Sequence, residues 1–301
     1  MPKRSPPPIG HLRYRPPAGY GLDLEVMSIS DLRSRGSEAH FRRPQRTEFV
    51  LAFGVTAGGC AHMVDFFAHA CRPGTWIVLK PGQVQRFDFS RKWEGWVVVF
   101  RPEFVLPAER ATGVAELSMA GLVENLPNRL DLPEREHAAA IAAVAQMAAD
   151  ARMPASGADR AALLRHQLYA LLLRLSLSQP AGPSSSASAL SAQRFRRFHR
   201  AVEEAFRTTH RVQAYARRLG CSAKSLTRAT REAAGASAKE FLSQRIALEA
   251  KRLLAYTTRP VGAVAEELGF DEPTNFVKFF RRAAGCSPGD FRRRNSGALA
   301  G

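Results

Sequence analysis

Two stretches near the end of this chain are versions of one another. VQAYARRLGCSAKSLTRATREAAGASAKEF (212–241) aligns with VGAVAEELGFDEPTNFVKFFRRAAGCSPGDF (261–291) once a single extra residue is allowed in the second turn. Before the gap, Val212, Ala214, Ala216, Leu219 and Gly220 recur as Val261, Ala263, Ala265, Leu268 and Gly269. After it, Arg231, Ala233, Ala234, Gly235, Ser237 and Phe241 recur as Arg281, Ala283, Ala284, Gly285, Ser287 and Phe291. Most of these are small residues, glycines and apolar anchors, the types that shape a backbone. Recurrence of that kind marks one supersecondary unit used twice.

Each copy reads as a short helix, a turn and a second helix. Ala216 and Ala265 are small enough for another helix to cross closely, and Gly220 and Gly269 end the first helix in the left-handed region. Ser222 in the first copy and Pro273 in the second are good helix-start residues. The pattern is a helix-turn-helix, whose second helix lies in a DNA major groove and reads base edges from its N-terminal part. The segment between the copies, SAKEFLSQRIALEAKRLLAYT, opens on a capping-box signature, Ser237-x-x-Glu240, and has no Gly or Pro until Pro260. About twenty helical residues span roughly 30 Å, close to the ~34 Å of one duplex turn. One chain would thus set two reading helices in successive major grooves.

Charge points to the same partner. Of the 44 Lys and Arg and 27 Asp and Glu in 301 residues, residues 190–301 hold 22 and 10, an excess of +12, while residues 1–189 hold 22 and 17, an excess of +5. The shorter part therefore carries the polyanion-binding surface. Its start is an amphipathic helix, with Phe195, Phe198, Val202 and Phe206 on one side and Arg194, Arg196, Arg197 and Arg200 outward or along its edges.

The rest of the chain changes character twice. The first twenty residues, rich in Pro, Arg and Gly, read as an extended arm. From Thr47 to Phe104, the runs EFVLAFGV, HMVDFFAHA, TWIVLKPG, VQRFDF and GWVVVF have strand length and composition, broken by Gly58-Gly59, Pro73-Gly74 and Pro81-Gly82. They predict a small antiparallel barrel or sandwich. After Pro107 two helical segments follow, and in the second Leu164, Leu168, Leu171, Leu172 and Leu175 form one stripe. That stripe either packs on its own barrel or pairs with the same helix of a second subunit, so the 159–177 helix is the expected homodimer element. PAGPSSSASAL (180–190) has the composition of a linker. The expected plan is an α+β multidomain chain: an arm at 1–20, a β-barrel domain with following helices at 21–178, a linker at 179–192, an all-α domain at 193–296 and a tail at 297–301.

Cys60, Cys71, Cys221 and Cys286 lack zinc-finger or CxxC spacing, which fits reduced thiols without structural zinc. No apolar stretch of about eighteen residues occurs and no signal peptide opens the chain, so a soluble, cytoplasmic, nucleoid-associated protein without membrane contact is expected.

With these motifs in view, the sequence resembles the AraC/XylS family of bacterial transcription regulators, most specifically over residues 195–294 and in VGAVAEELGFDEPTNFVKFFRRAAGCSPGDFRR. Residues 40–104 resemble the family's cupin-like effector-binding barrel through RPGTWIVLKPGQVQRF and WEGWVVVFRPEF. The resemblance implies double-stranded DNA as partner, a small-molecule effector, and RNA polymerase where the regulator is an activator, the commoner habit of the family. It places base contacts at Lys224, Thr227 and Arg228. Leu226 must face the core, consistent with that placement, and Arg228 suits guanine O6 and N7. In the second unit Phe276, Phe279 and Phe280 are expected in the core, leaving Thr274, Asn275 and Lys278 as readers. Arg231, Arg281 and Arg282 are expected on phosphates.

A cupin-like barrel also raises metal-enzyme chemistry, which needs several His and a carboxylate on one site. His40, His62 and His69 are scattered, and Gln85 stands where many cupin-like sequences have histidine, so neither a metal, a cofactor nor a catalytic residue is assigned. The competing reading is a barrel enzyme with a basic nucleic-acid-binding tail. For an effector pocket, the resemblance points to Trp96, with Gln85 and Glu94 beside it. Trp76, Trp93 and Trp96 read equally as ordinary core or surface aromatics. Cys60 and Cys71 read as buried thiols.

Overall fold

The computed structural model describes residues 10–14, 22–105, 122–124, 126–179 and 186–296, which divide into two compact units, 10–179 and 186–296. Of the expected arm, residues 1–9 and 15–20 lie outside the described residues, as do 180–185 of the expected linker and the tail 297–301.

Among the described residues the first unit holds ten strands in two separate five-stranded sheets, so the expected barrel is not closed there. The strands are β1 (Gly10–Leu12), β2 (Leu24–Ser28), β3 (Gln45–Thr47), β4 (Val50–Gly58), β5 (Cys60–Val64), β6 (Phe67–Cys71), β7 (Thr75–Leu79), β8 (Val84–Arg86), β9 (Trp93–Phe100) and β10 (Arg129–Asp131). One sheet runs β1-β3-β8-β5-β6 and the other β10-β7-β4-β9-β2. β1, inside the expected arm, lies parallel to β3, and the arm's Tyr14 is buried with its hydroxyl donating to the Leu22 carbonyl at 3.1 Å. Helices α1 (Ile29–Ser34) and α2 (Glu38–Phe41) precede β3. α3 (Glu134–Asp150) and α4 (Gly157–Leu177) follow the strands.

Strand alternation sorts the core into two layers. Successive side chains of a strand face opposite sides. Leu51 and Phe53 of β4, Ile77 and Leu79 of β7, and Val97 and Val99 of β9 fill the space between the sheets. Val50 and Ala52, Trp76 and Val78, and Val98 and Phe100 face the other way, onto α3 and α4. Strands buried on both faces need unbroken apolar runs, which is why VLAFGV, TWIVL and WVVVF lack polar alternation.

The helix layer decides the leucine stripe. Leu164, Leu168, Leu171, Leu172 and Leu175 are all 0% exposed within the single chain and pack with Val144 and Met147 of α3 and the outer face of the second sheet. They are not a dimer surface, because covering that sheet consumes the whole stripe.

The second unit is helical: α5 (Ser186–Ala205), α6 (Val212–Arg218), α7 (Ala223–Ala234), α8 (Ala238–Tyr256), α9 (Val261–Glu267), α10 (Pro273–Ala284) and α11 (Pro288–Ser296). α5 starts within the expected linker. After Pro183, SSSASALSAQ has no further Pro or Gly, and its alanines and leucine favour continuation of the helix that Phe198, Val202 and Phe206 bury.

Candidate nucleic-acid interface

The two helix-turn-helix units have matching turns. α6 ends at Gly220, φ +64°, where the Cys221 N–H donates to the Ala216 carbonyl at 3.0 Å. α9 ends at Gly269, φ +72°, where the Phe270 N–H donates to the Ala265 carbonyl, also at 3.0 Å. A bond across five residues with a left-handed glycine is the Schellman closure. Ala216 and Ala265 are buried where the helices of each unit cross.

The units then enter their second helices differently. Ser222 caps α7, its hydroxyl accepting from the Ser225 N–H at 3.1 Å. The second turn holds its extra residue, and α10 begins with Pro273 at its first position behind Glu272, which gives no side-chain cap. Both helices stop at left-handed glycines, Gly235 and Gly285. Ser237 caps α8 and Ser287 caps α11, each hydroxyl accepting from a backbone N–H three residues on. In α8 the capping box is complete: Glu240 accepts from the Ser237 N–H at 2.8 Å, and its own N–H donates to the Ser237 hydroxyl at 3.2 Å. The bond from the Ser237 N–H, followed by one from the Ser237 hydroxyl, holds the Glu240 carboxyl below its usual range.

Each second helix buries one face and offers the other. Leu226 of α7 and Phe276 and Phe280 of α10 are 0% exposed. Phe279 is half-buried against the same core. Lys224, Arg228 and Arg231 of α7 are exposed and Thr227 is half-buried. Thr274, Asn275, Lys278, Arg281 and Arg282 of α10 are all exposed. The sequence-derived contact residues thus lie on the accessible sides of the two helices. Arg228 leans toward Glu232 one turn on, 3.9 Å away, an exposed pair worth little in water. One residue of these faces escaped the sequence reading: Val277, which is 36% exposed. Ser225, which the sequence turns toward solvent or groove beside Leu226, is half-buried and matches Asn275 in position. Counting both helices from their N-caps finds Val277.

α8 joins the units through 19 residues, about 28 Å at 1.5 Å each. Its register is held by a buried charge cluster. Glu249, 0% exposed, accepts from Arg207 at 3.0 Å, Arg252 at 3.1 Å and Arg245 at 3.4 Å. Arg245 also donates from Nε to Glu203 at 2.7 Å and lies 3.9 Å over the Phe206 ring. These contacts tie α8 to α5 and to the segment after it.

The proposed effector residues do not converge. Gln85 is fully buried on the inner face of the first sheet. Trp96 packs on the helix-side core, and Glu94, exposed and 3.6 Å from Arg33, shares that outward parity, since 93, 95, 97 and 99 point inward along β9. The correction comes from the two-residue period. What Gln85 does join is a polar wall the sequence reading missed. Val64 opposes Gln85 and Gln45 opposes it from the other side, so His62, Gln45 and Thr47 share its face. Gln85 Nε2 donates to Gln45 Oε1 at 3.2 Å, while Gln85 Oε1, Thr47 Oγ1 and both His62 ring nitrogens are buried without a hydrogen-bond partner among the described residues. Burial pushes the His62 pKa down to about 3, so the ring is neutral between the edges of Phe53 and Phe87. Among the described residues no group of three His, Cys, Asp or Glu is placed to hold a metal ion, and no helix is long and apolar enough to cross a membrane.

Comparison with known proteins bears on the second unit. A helix-turn-helix domain family matches residues 215–294. The chain is 32% identical over 68 residues to the uncharacterized HTH-type transcriptional regulator YisR of Bacillus subtilis, covering 23% of this chain and 24% of that protein. It is 30% identical over 87 residues to the HTH-type transcriptional activator RhaR of Klebsiella pneumoniae, covering 29% and 31%. The chain therefore spans less than a third of the length of these curated relatives. Among solved structures, the DNA-binding domain of AdpA, a global transcriptional factor, in complex with a target DNA is similar at 26% identity, 38% of this chain, 96% of that chain and a TM-score of 0.31. ToxT from Vibrio cholerae O395 aligns over 91% of this chain and 99% of its own at 9% identity and a TM-score of 0.42. Residues 215–294 thus carry a helix-turn-helix domain, and both curated relatives are named as HTH-type regulators of transcription.

Proposed function

We propose that this protein is a sequence-specific DNA-binding transcription regulator that lays α7 and α10 in successive major grooves of one duplex. The observation that carries the reading is the pair of matched helix-turn-helix units, each with an accessible second helix, joined by one continuous 19-residue helix. Lys224, Thr227, Arg228, Thr274, Asn275 and Lys278 are the proposed base readers, and Arg231, Arg281 and Arg282 the phosphate contacts. The reading extends to activation, the role that the transcriptional activator RhaR is named for, with RNA polymerase as the partner, and to a cytoplasmic setting. A homodimer remains part of it, through a surface other than the buried leucine stripe.

The small-molecule half of the reading rests on the inward wall of His62, Gln85 and Thr47 facing the apolar side chains of the second sheet. Apolar walls with a few convergent polar groups are the usual make-up of ligand sites. That wall replaces Trp96 and Glu94 as the proposed effector contact.

Selection of bound duplexes from a random library by the full chain tests the function. Two short motifs about 10 bp apart are expected, with affinity falling steeply as salt rises. Recovery of unselected sequence overturns the DNA reading. Repeating the titration on the selected site with a metabolite library tests control: a compound that shifts the affinity of the native chain and not of His62→Phe supports it, and a library without effect removes it.

A further inference from the structure

The repeat makes the two reading helices directly comparable, and their accessible faces differ in chemistry. Aligned from the N-caps Ser222 and Glu272, Lys224 stands opposite Thr274, Ser225 opposite Asn275, Thr227 opposite Val277, Arg228 opposite Lys278 and Arg231 opposite Arg281. On a 3.6-residue period Thr274, Val277, Lys278 and Arg281 share one side of α10. Phe276 and Phe280 face the core. Val277 is therefore an apolar side chain, 36% exposed, set among polar and cationic neighbours on the face that the DNA reading turns to the groove. In the major groove the apolar feature of a base edge is the C5-methyl of thymine, and the amide of Asn275 suits the adenine edge. α7 offers Lys224 and Arg228 instead, both suited to guanine, with the half-buried hydroxyl of Thr227 at the position of Val277.

We propose that Val277 packs on a thymine methyl, so that the second half of the binding site is marked by an A·T pair and the first by G·C pairs: repeated protein units read unlike DNA halves. The inference rests on the DNA-binding reading above. It makes Val277 a specificity residue rather than a solvent-facing one.

The test uses the full chain and the duplex it selects. Each thymine is replaced in turn by deoxyuridine, which lacks only the methyl, and affinities are measured at one salt concentration for native protein and Val277→Ala. Burial of one methyl corresponds to about a fourfold change in affinity. The expected result is one thymine, in one half-site, whose replacement weakens the native protein by about that factor and leaves Val277→Ala unchanged. If native protein tolerates every replacement, or both proteins lose equally at each, the assignment to Val277 is overturned while sequence-selective binding stands. If no sequence is selected at the outset, the DNA reading fails and this inference with it.

Discussion

Two glycines in equivalent positions carry different duties. Gly220 and Gly269 both hold φ near +70°, where a Cβ costs about 1–2 kcal/mol. A Cβ on Gly220 would meet nothing within 4 Å, whereas one on Gly269 would sit 2.0 Å from the carbonyl oxygen of Arg207. Gly220→Ala should therefore cost only the backbone term. Gly269→Ala should cost at least roughly twice as much, because the segment after α5 must move. Hydrogen exchange of amides in 212–296 of the full chain reads the difference, and equal protection in the two variants would contradict the close approach. The sequence shows both glycines as turn-formers, and the alignment even pairs them. It contains no sign of the contact with Arg207, which lies 62 positions away and is made by backbone.

At the scale of elements, helix starts, stops and periods were readable because they depend on neighbours a few positions apart. The capping box at Ser237, the stripe on α4 and the buried faces of α7 and α10 are of this kind. Partnership across sheets was not readable. Whether Trp96 faces inward depends on the parity of β9 against two cores, and both faces of that strand are apolar, so pattern alone leaves the choice open. His62, Thr47 and Gln85 meet only through strand pairing. The charge cluster on α8 was likewise hidden, since Glu249 meets Arg207 from 42 positions away. Three guanidiniums converge on this one buried carboxylate, and removing one partner of a buried ion pair costs about 3–5 kcal/mol. Glu249→Ala should lower the urea midpoint of the helical signal of the full chain by a corresponding amount. Glu267→Ala, which removes a carboxylate paired with the exposed Arg259, should barely move it. Similar midpoints for the two would show that the cluster adds nothing to the hold on α8.

For the whole molecule, pH should act most strongly through His62 of the first unit. His62 has its pKa pushed down to about 3 by burial, whereas an unfolded histidine titrates near 6.5. Between those values the unfolded chain binds the extra proton, so stability falls as pH falls, by up to about 1.4 kcal/mol per pH unit. His69, His137 and His210 are also depressed by burial, so the informative quantity is the difference between native chain and His62→Phe. Melting temperatures taken from pH 7 to pH 4.5 should fall less steeply for the variant. Parallel curves would mean that the ring finds a proton-accepting partner when it charges.

The doubly buried second sheet has a consequence for how this protein can change. Positions along β4, β7 and β9 are hemmed in on both sides, so almost any substitution there disturbs one packing layer or the other. The inner face of β3, β5 and β8 carries polar atoms without a hydrogen-bond partner among the described residues, at Thr47 Oγ1, both His62 ring nitrogens and Gln85 Oε1. Among the buried positions of the first unit, exchange of polar for apolar side chains should therefore cost least on that wall. A lineage of such chains is free to trade that lining for another while the scaffold and its paired helix-turn-helix units stay as they are.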